Sequence, residues 1–361
     1  MSAFQTGGGR LRAYLEFIAA VVYFFLARAL AHHEALGLVN EQWIVEQWAP
    51  LIEQLVLFFL LLVGYASMGV ALDRQSHPLS EQGLPRRPGW PSEAGLGLAV
   101  GWTLALVCVL PMLAAGGIAI VLILAPSAWG WLVVDAVFFA LAALAEEVAF
   151  RGYGFQRLSR AVGPVGAACG YAVFYAIVQA FVPGSSHSSI AVSMAFSLLL
   201  SAAYLRTRAL WVSWGLNFAW KASRALIFGL AISGDYSHSH VVEGNPMGPF
   251  WLTGGGYGLD ASWVAFIVLL AALPVLRRLT RELDYQYNVP PEVVSAGVPL
   301  NLNAATARHQ HEAALDISGF ASEARSGAVT PPAVTPNSAT QDFVQIQPAS
   351  APPPTAGSKP E

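Results

Sequence analysis

Long apolar runs alternate along the chain with short polar connections. A membrane-spanning helix needs about 20 mostly apolar residues. With that length as the window, about eight segments qualify, and they are 11–31, 51–72, 94–124, 129–150, 164–182, 189–205, 209–232 and 261–279. The third segment is longer than a span requires, so we expect it to be tilted or kinked near Pro111. We expect the fourth to continue as helix towards Arg160.

The composition agrees with this pattern. Of 361 residues, 55% are hydrophobic and only 11% are charged, whereas a soluble domain carries about 25% charge. The net charge of −3 gives no reason to expect a nucleic-acid partner. Cys108 and Cys169 fall within apolar runs and are expected to be packing residues. The chain is therefore predicted to be an all-α, polytopic helical protein of the cell membrane, with the lipid bilayer around it.

Lysine and arginine occupy alternate connections between the predicted spans. The segments 33–50, 125–130, 183–189 and 234–262 contain neither residue. The cationic clusters lie in the other connections and at the chain ends, at Arg10 and Arg12, Arg74, Arg86 and Arg87, Arg157 and Arg160, Arg206 and Arg208, and Arg277, Arg278 and Arg281. Because cytoplasmic connections are enriched in Lys and Arg, both termini are predicted to be cytoplasmic.

Two smaller patterns have ordinary structural interpretations. Gly97 and Gly101 form a GxxxG pair in the third segment, which favours close helix packing. His238 and His240 lie in a serine-rich connection, where we expect solvent-facing histidines rather than a metal site. His187 is expected to face solvent as well.

Charged residues inside apolar sequence are the main candidates for function. Such residues cost about 2.5–3.5 kcal/mol each on insertion scales, so they usually line a cavity or pair with one another. Glu147 and Arg151 are four residues apart, which places them on one helix face as a potential ion pair. Glu146 lies about 100° around the helix from Glu147. Geometry alone leaves two roles open for Glu146, a general acid or base and a partner for a cation on another helix.

Depth along the predicted spans relates these residues to others. With Arg160 taken as the cytoplasmic end, Glu146 lies roughly 20 Å inside. Gln179 lies roughly 22 Å inside the fifth span, and Asn217 and Lys221 lie roughly 14 and 20 Å inside the seventh. We therefore expect a polar chamber between the fourth, fifth and seventh spans.

Glu146 to Arg151 read EEVAFR, which resembles the EExxxR motif of the CAAX-protease and bacteriocin-processing (CPBP, or ABI) family of intramembrane proteases. The resemblance extends from about Trp129 to Ser262 and includes FRGYGFQRL, YLRTRALWVSWGLNFAWK and LTGGGYGLDAS. It implies a helical intramembrane protease core over residues 126–284. Residues 1–125 would supply additional transmembrane helices, and the Pro-, Ala- and Ser-rich segment 285–361 is predicted to be a disordered cytoplasmic tail.

The resemblance also implies site residues. In the family, the first motif glutamate and the histidine of FxxxH activate water, and an HxxxN motif stabilises the oxyanion or helps to hold a metal. The glutamate corresponds to Glu146. The histidine of FxxxH corresponds to Gln179, and HxxxN corresponds to Asn217 and Lys221. Both family histidines are therefore replaced. Glutamine does not titrate near neutral pH, and neither amide is a typical zinc ligand.

Three functions follow from these replacements. In the first, Lys221 pairs with a motif glutamate and removes it as a base, and the chamber binds a hydrophobic or prenylated peptide, or a membrane-protein segment, without cleaving it. In the second, the protein is an active endopeptidase with Glu146 as base, Gln179 orienting water, and Asn217 with Lys221 at the oxyanion. In the third, the polar chamber serves a channel or transporter. No metal or other cofactor is predicted.

Overall fold

The computed structural model describes residues 7–122, 126–288, 293–295 and 298–300. This part of the chain is mostly helical. Its α-helices are α1 (Gly7–Asn40), α2 (Ala49–Asp73), α3 (Pro78–Glu81), α4 (Trp90–Ala114), α5 (Pro126–Arg151), α6 (Tyr153–Ala180), α7 (His187–Thr207), α8 (Trp211–Ala222), α9 (Phe250–Thr253), α10 (Trp263–Leu279) and α11 (Arg281–Asn288). One π-helical turn, Ser223–Ile227, extends α8. Its strands are β1 (Ile118–Leu122), β2 (Val242–Pro246), β3 (Val293–Ser295) and β4 (Val298–Leu300).

Four of the described helices are long and apolar enough to cross a membrane, and they are Gly8–Asn40, Glu46–Asp73, Trp90–Ala114 and His187–Thr207. Large apolar side chains on α1 and α2, such as Leu26 and Phe59, are more than half exposed. Lipid would cover such side chains, because an apolar helix face has no other favourable surroundings. These features support a membrane protein. The count of eight spans and the cytoplasmic position of both termini stay predictions.

Three apolar clusters pack the described helices together, and the smallest joins Phe139 of α5 to Ala222 at the end of α8. Of the two larger clusters, one joins α4, α7, α8 and α10 around residues such as Leu199 and Leu216. The other joins α1, α2, α5 and α6 around residues such as Leu61 and Tyr171. Helix α5 carries the EExxxR motif and contacts α8 at the boundary between the two larger clusters. The predicted site residues therefore lie where the two halves of the bundle meet.

Helices α4 and α8 approach each other closely through glycine. A Cβ atom at Gly97 would collide with the carbonyl oxygen of Val212, and one at Gly101 would collide with that of Leu216. On the opposite helix, a Cβ atom at Gly215 would collide with the carbonyl oxygen of Ala94. The close packing predicted from the GxxxG pair is confirmed. It fixes α8, which carries Asn217 and Lys221.

The third predicted span, 94–124, is wrong in its second half. Helix α4 ends at Ala114, and the chain turns through Gly116, whose φ of 65° favours glycine. Ile118–Leu122 then forms β1, which pairs antiparallel with β2 so that Ile118 faces Pro246 and Leu122 faces Val242. The sequence IAIVL is apolar in either structure, but its β-branched residues favour a strand.

The fourth predicted span does not continue as one helix to Arg160. Helix α5 ends at Arg151, and Gly152 leaves the helical conformation with ψ of −131°. Helix α6 breaks again at Gly163, whose φ is 84°, directly before Pro164. A residue before proline is disfavoured in the helical region, and glycine accepts the positive φ. The depth of Glu146, which was estimated by counting residues along one straight helix from Arg160, is therefore not valid.

The predicted tail lies largely outside the described residues. Its first residues complete α11, which ends at Asn288. Strands β3 and β4 pair antiparallel, with Val293 opposite Leu300. Residues 301–361 are outside the described part of the chain.

Candidate active site

Glu147 and Arg151 form a fully buried ion pair on α5. Arg151 Nη1 lies 3.2 Å from Glu147 Oε1, as the i,i+4 spacing predicted, and both side chains are at most 1% exposed. Arg151 Nη2 also donates to the backbone oxygen of Ser197 at 3.1 Å and to its hydroxyl at 3.2 Å. The pair therefore connects α5 to α7 and has no access to a ligand.

Asn217 connects both glutamates to α8. Its Nδ2 donates to Glu146 Oε2 and to Glu147 Oε1, each at 3.0 Å. The side chain is buried, and its Oδ1 has no hydrogen-bond partner among the described residues. Because one amide nitrogen serves two adjacent carboxylates, Asn217 fixes the position of α8 against α5.

Lys221 completes the arrangement around Glu146. Its Nζ lies 2.5 Å from Glu146 Oε1, the contact that the sequence led us to expect. One oxygen of Glu146 therefore faces an ammonium group, and the other accepts from Asn217. Unlike Glu147, the Glu146 side chain is 30% exposed. Glu146 is thus the carboxylate of the motif that a ligand can approach.

A cavity of about 310 Å³ lies beside this pair. Helices α5, α6 and α8 contribute Glu146, Gln179 and Lys221, as the predicted chamber required. Helices α1, α2 and α7 and the connection before β2 also line it. Glu147, Arg151 and Asn217 lie behind the wall rather than on the cavity. The six predicted residues therefore divide into three that face the cavity and three that hold those in position.

Gln179 lines the cavity, but its hydrogen bonds lead away from Glu146. Its Nε2 donates to the hydroxyl of Tyr257 and, at 3.4 Å, to the hydroxyl of Ser233. Ser233 donates in turn to Asp260 Oδ2 through its backbone nitrogen at 3.1 Å and its hydroxyl at 3.3 Å. Within the described chain, no hydrogen bond joins Gln179 to Glu146. Gln179 therefore anchors the loops around the cavity.

A second ion pair borders the same cavity and was not predicted. Arg224 Nη1 lies 2.7 Å from Asp260 Oδ1, and Arg224 Nε donates to the Trp220 carbonyl at 2.8 Å. The Arg224 guanidinium also lies 4.3 Å from the centre of the Trp220 ring. The sequence contained one signal of this pair, since a cation buried among apolar residues requires an anion. It did not identify Asp260 as that anion.

His238 is not a solvent-facing histidine, so the prediction for this residue was wrong. Its side chain is 12% exposed and lines the cavity. The ring stacks on Phe138 at 5.3 Å and meets Phe139 edge-on at 4.6 Å. Burial lowers the pKa of His238 below its ordinary value of 6.5, although the Asp235 carboxylate, 3.4 Å away, acts in the opposite direction. The connection before β2 packs against α5 and in this way places His238 on the cavity.

The residues at the cavity do not fit a metal site. Within the described ranges, no group of three or more His, Cys, Asp or Glu side chains lies close enough to hold a metal ion. At Glu146, the nearest strong partner is the Lys221 ammonium, which is a cation itself. A metal ion there would have to displace it and bind beside two amides that are poor ligands.

Comparison with protein-family models identifies a related family. Residues 127–223 match the family model described as type II CAAX prenyl endopeptidase Rce1-like. This stretch begins in the first turn of α5, ends at the first residue of the π-helical turn, and contains all six predicted site residues. Searches of curated proteins and of solved structures found no match. The family match confirms the resemblance that the EExxxR motif indicated.

Proposed function

We propose that this membrane protein, whose residues 127–223 match the type II CAAX prenyl endopeptidase Rce1-like family model, binds a hydrophobic peptide or membrane-protein segment in its cavity without cleaving it. The observation that carries the proposal is the engagement of both Glu146 oxygens, one by Lys221 and one by Asn217. A general base must have a lone pair available for a proton of water. At Glu146 an ammonium and an amide already occupy one such position on each oxygen, so a water can bind only at the remaining lone pairs, beside a cation.

The cavity supports binding of a short segment. Its volume of about 310 Å³ is at the small end of ligand pockets, which span about 300–1,000 Å³. Phe139, Phe150 and Phe196 provide apolar wall, and polar and charged side chains such as Gln179 and Glu53 line the rest of the cavity. Such a lining suits one or two apolar side chains together with a peptide group.

Active hydrolysis is the second candidate, and the exposure of Glu146 favours it. The 30% exposed carboxylate and Gln179 face one cavity. Lys221 could stabilise an oxyanion more strongly than a neutral donor if the substrate displaced it from Glu146. This mechanism requires the substrate to break a short ion pair, whereas the binding proposal leaves that pair intact.

A cleavage assay in detergent separates the two candidates. A fluorescent prenylated peptide is incubated with the full-length protein, and binding by anisotropy and cleavage by mass spectrometry are measured on the same sample. We expect binding without cleavage. Turnover by the wild type that disappears in Glu146→Ala would support the endopeptidase and overturn the binding proposal.

A restored motif provides the complementary test. The triple variant Gln179→His/Asn217→His/Lys221→Asn has the residue types of the family pattern at all three positions. It also lacks the Lys221 ammonium. We expect this variant to cleave the peptide and to lose that cleavage when Glu146→Ala is added. Gln179→His alone is the matched control, since it leaves the Lys221 pair in place and is expected to remain inactive.

A further inference from the structure

A second polar cavity, of about 530 Å³, lies at the ends of three helices and outside the site described above. Arg12 and Glu16 from the start of α1, Asp73 and Arg74 from the end of α2, and Arg160 from α6 line it. Helices α1 and α2 are both candidate membrane spans, and Asp73 is the last residue of the second. The ends of spanning helices lie at the level of the lipid headgroups. The cavity is therefore at the depth where a phosphate group of a lipid would be found.

The two carboxylates of this cavity are already neutralised. Asp73 accepts from Arg157 Nη1, from Arg160 Nη1 at 3.1 Å, and from the Tyr153 hydroxyl at 3.2 Å. Glu16 accepts from Arg12 Nε at 2.6 Å and lies 3.6 Å from Arg157 Nη1. The carboxylates therefore position the guanidinium groups and present little negative charge of their own.

Cations remain in excess. Arg12, Arg74, Arg157 and Arg160 oppose only Glu16 and Asp73 around this cavity, which leaves two positive charges uncompensated.

Arg74 provides a free guanidinium at the cavity. It is exposed, and its side chain has no partner among the described residues. Arg157 is fully buried behind the cavity lining, where its Nη1 pairs with both carboxylates. The charges of Glu16 and Asp73 are therefore balanced from behind, and the arginines on the lining remain available to an anion.

We propose that this cavity binds the phosphate group of an anionic membrane lipid. Guanidinium groups match phosphate oxygens in paired hydrogen bonds, and several arginines can share one phosphate. Arg74 supplies the free donor, and Arg12 and Arg160 keep outward-facing N–H groups because each is about half exposed or more. An anionic lipid surface also attracts basic residues at its level. The site is independent of the peptide cavity and of the function proposed for it.

Thermal unfolding in uncharged detergent micelles tests the site. The full-length protein is titrated with dihexanoyl-phosphatidylglycerol, with dihexanoyl-phosphatidylcholine, or with inorganic phosphate. We expect the anionic lipid to raise the unfolding midpoint well above the effect of the zwitterionic lipid. Arg74→Gln is expected to weaken the apparent affinity about fivefold. Arg86→Gln is the matched control, because Arg86 is also exposed and lies outside this cavity.

Each result of these titrations either supports or overturns the proposed lipid site. Equal affinity of wild type and Arg74→Gln for the anionic lipid would overturn the proposal, as would equal stabilisation by both lipids. Stabilisation by inorganic phosphate that equals that of the lipid and depends on Arg74 would overturn the assignment to a lipid. A fivefold loss in Arg74→Gln with no change in Arg86→Gln would support the site as described.

Discussion

The two glutamates of the motif are neighbours in sequence and lie in different surroundings. Glu147 is fully buried and shares its charge with Arg151, which is fixed to α7 through Ser197. Glu146 is 30% exposed and faces Lys221 across a cavity. Asn217 donates to both. One helical step of about 100° therefore separates a carboxylate that holds helices together from one that a ligand can reach.

The difference shows that neighbouring charged residues of one motif can have separate structural surroundings. The Glu147–Arg151 pair is formed within α5 and is held by Ser197 of α7 and Asn217 of α8, and neither residue of the pair lines the cavity. The contacts of Glu146, in contrast, depend on which side chains α8 places at the cavity. With Lys221 and Asn217 in that position, each oxygen of Glu146 accepts a hydrogen bond from α8.

The largest effect is expected from breaking the buried pair. Arg151→Met leaves Glu147 buried without a cation, which should cost about 3–5 kcal/mol of unfolding free energy. The measurement is unfolding by SDS titration in mixed micelles. Glu147→Gln/Arg151→Met removes both charges and should lose less than Arg151→Met alone. If the double variant is the less stable of the two, the ion pair is not what Arg151 contributes.

A smaller effect is expected from the residue that both glutamates share. Asn217→Ala removes two hydrogen bonds to charged groups, and we expect a loss of about 2–3 kcal/mol in the same assay. Asn245→Ala is the matched control, because the Asn245 side chain is exposed and, among the described residues, bonds only to Glu243. A loss as small as that of the control would show that Asn217 does not hold α8 to α5.

Of the three interactions, the Lys221–Glu146 ion pair is expected to contribute least to the free energy of unfolding. Lys221→Met leaves Glu146 facing a cavity where water can solvate it, so we expect a cost of about 1 kcal/mol or less. A double-mutant cycle with Glu146→Gln measures the coupling directly. A coupling energy as large as the effect of Arg151→Met would remove the distinction between the two glutamates.

The smallest effect concerns pH. Burial lowers the pKa of His238, so the folded protein binds fewer protons than the unfolded chain below about pH 6.5. Neutral His238 therefore does not reduce the free energy of unfolding above that pH. As the pH falls, the free energy of unfolding decreases, because protonation favours the unfolded chain. We expect the wild-type unfolding midpoint to drop about 2 °C more than that of His238→Phe between about pH 7.5 and 5.5. His187→Phe, at an exposed histidine, should follow the wild type.

The local features of the site could be predicted from the sequence. The Glu147–Arg151 pair follows from helical spacing, and depth along the predicted spans indicated a chamber shared by Glu146, Gln179 and Lys221. Asn217 was predicted for the same chamber, but it lies behind the cavity wall. The loop contributions could not be predicted. Asp260, Ser233 and His238 lie in connections without periodicity, and their path depends on the pairing of β1 with β2. Because IAIVL is as apolar as a membrane helix, composition gave no indication that this pairing exists.

The glycine contact between α4 and α8 has a consequence for the charge at the cavity. Backbone lies directly against backbone at Gly97, Gly101 and Gly215, so no side chain is available to absorb a displacement. A single methyl group added at Gly101 would push α8 outward, and the Lys221 ammonium would move with it. Residues without a side chain therefore set the position of the cation that pairs with Glu146, and enlarging one of them would change this contact from the opposite face of α8.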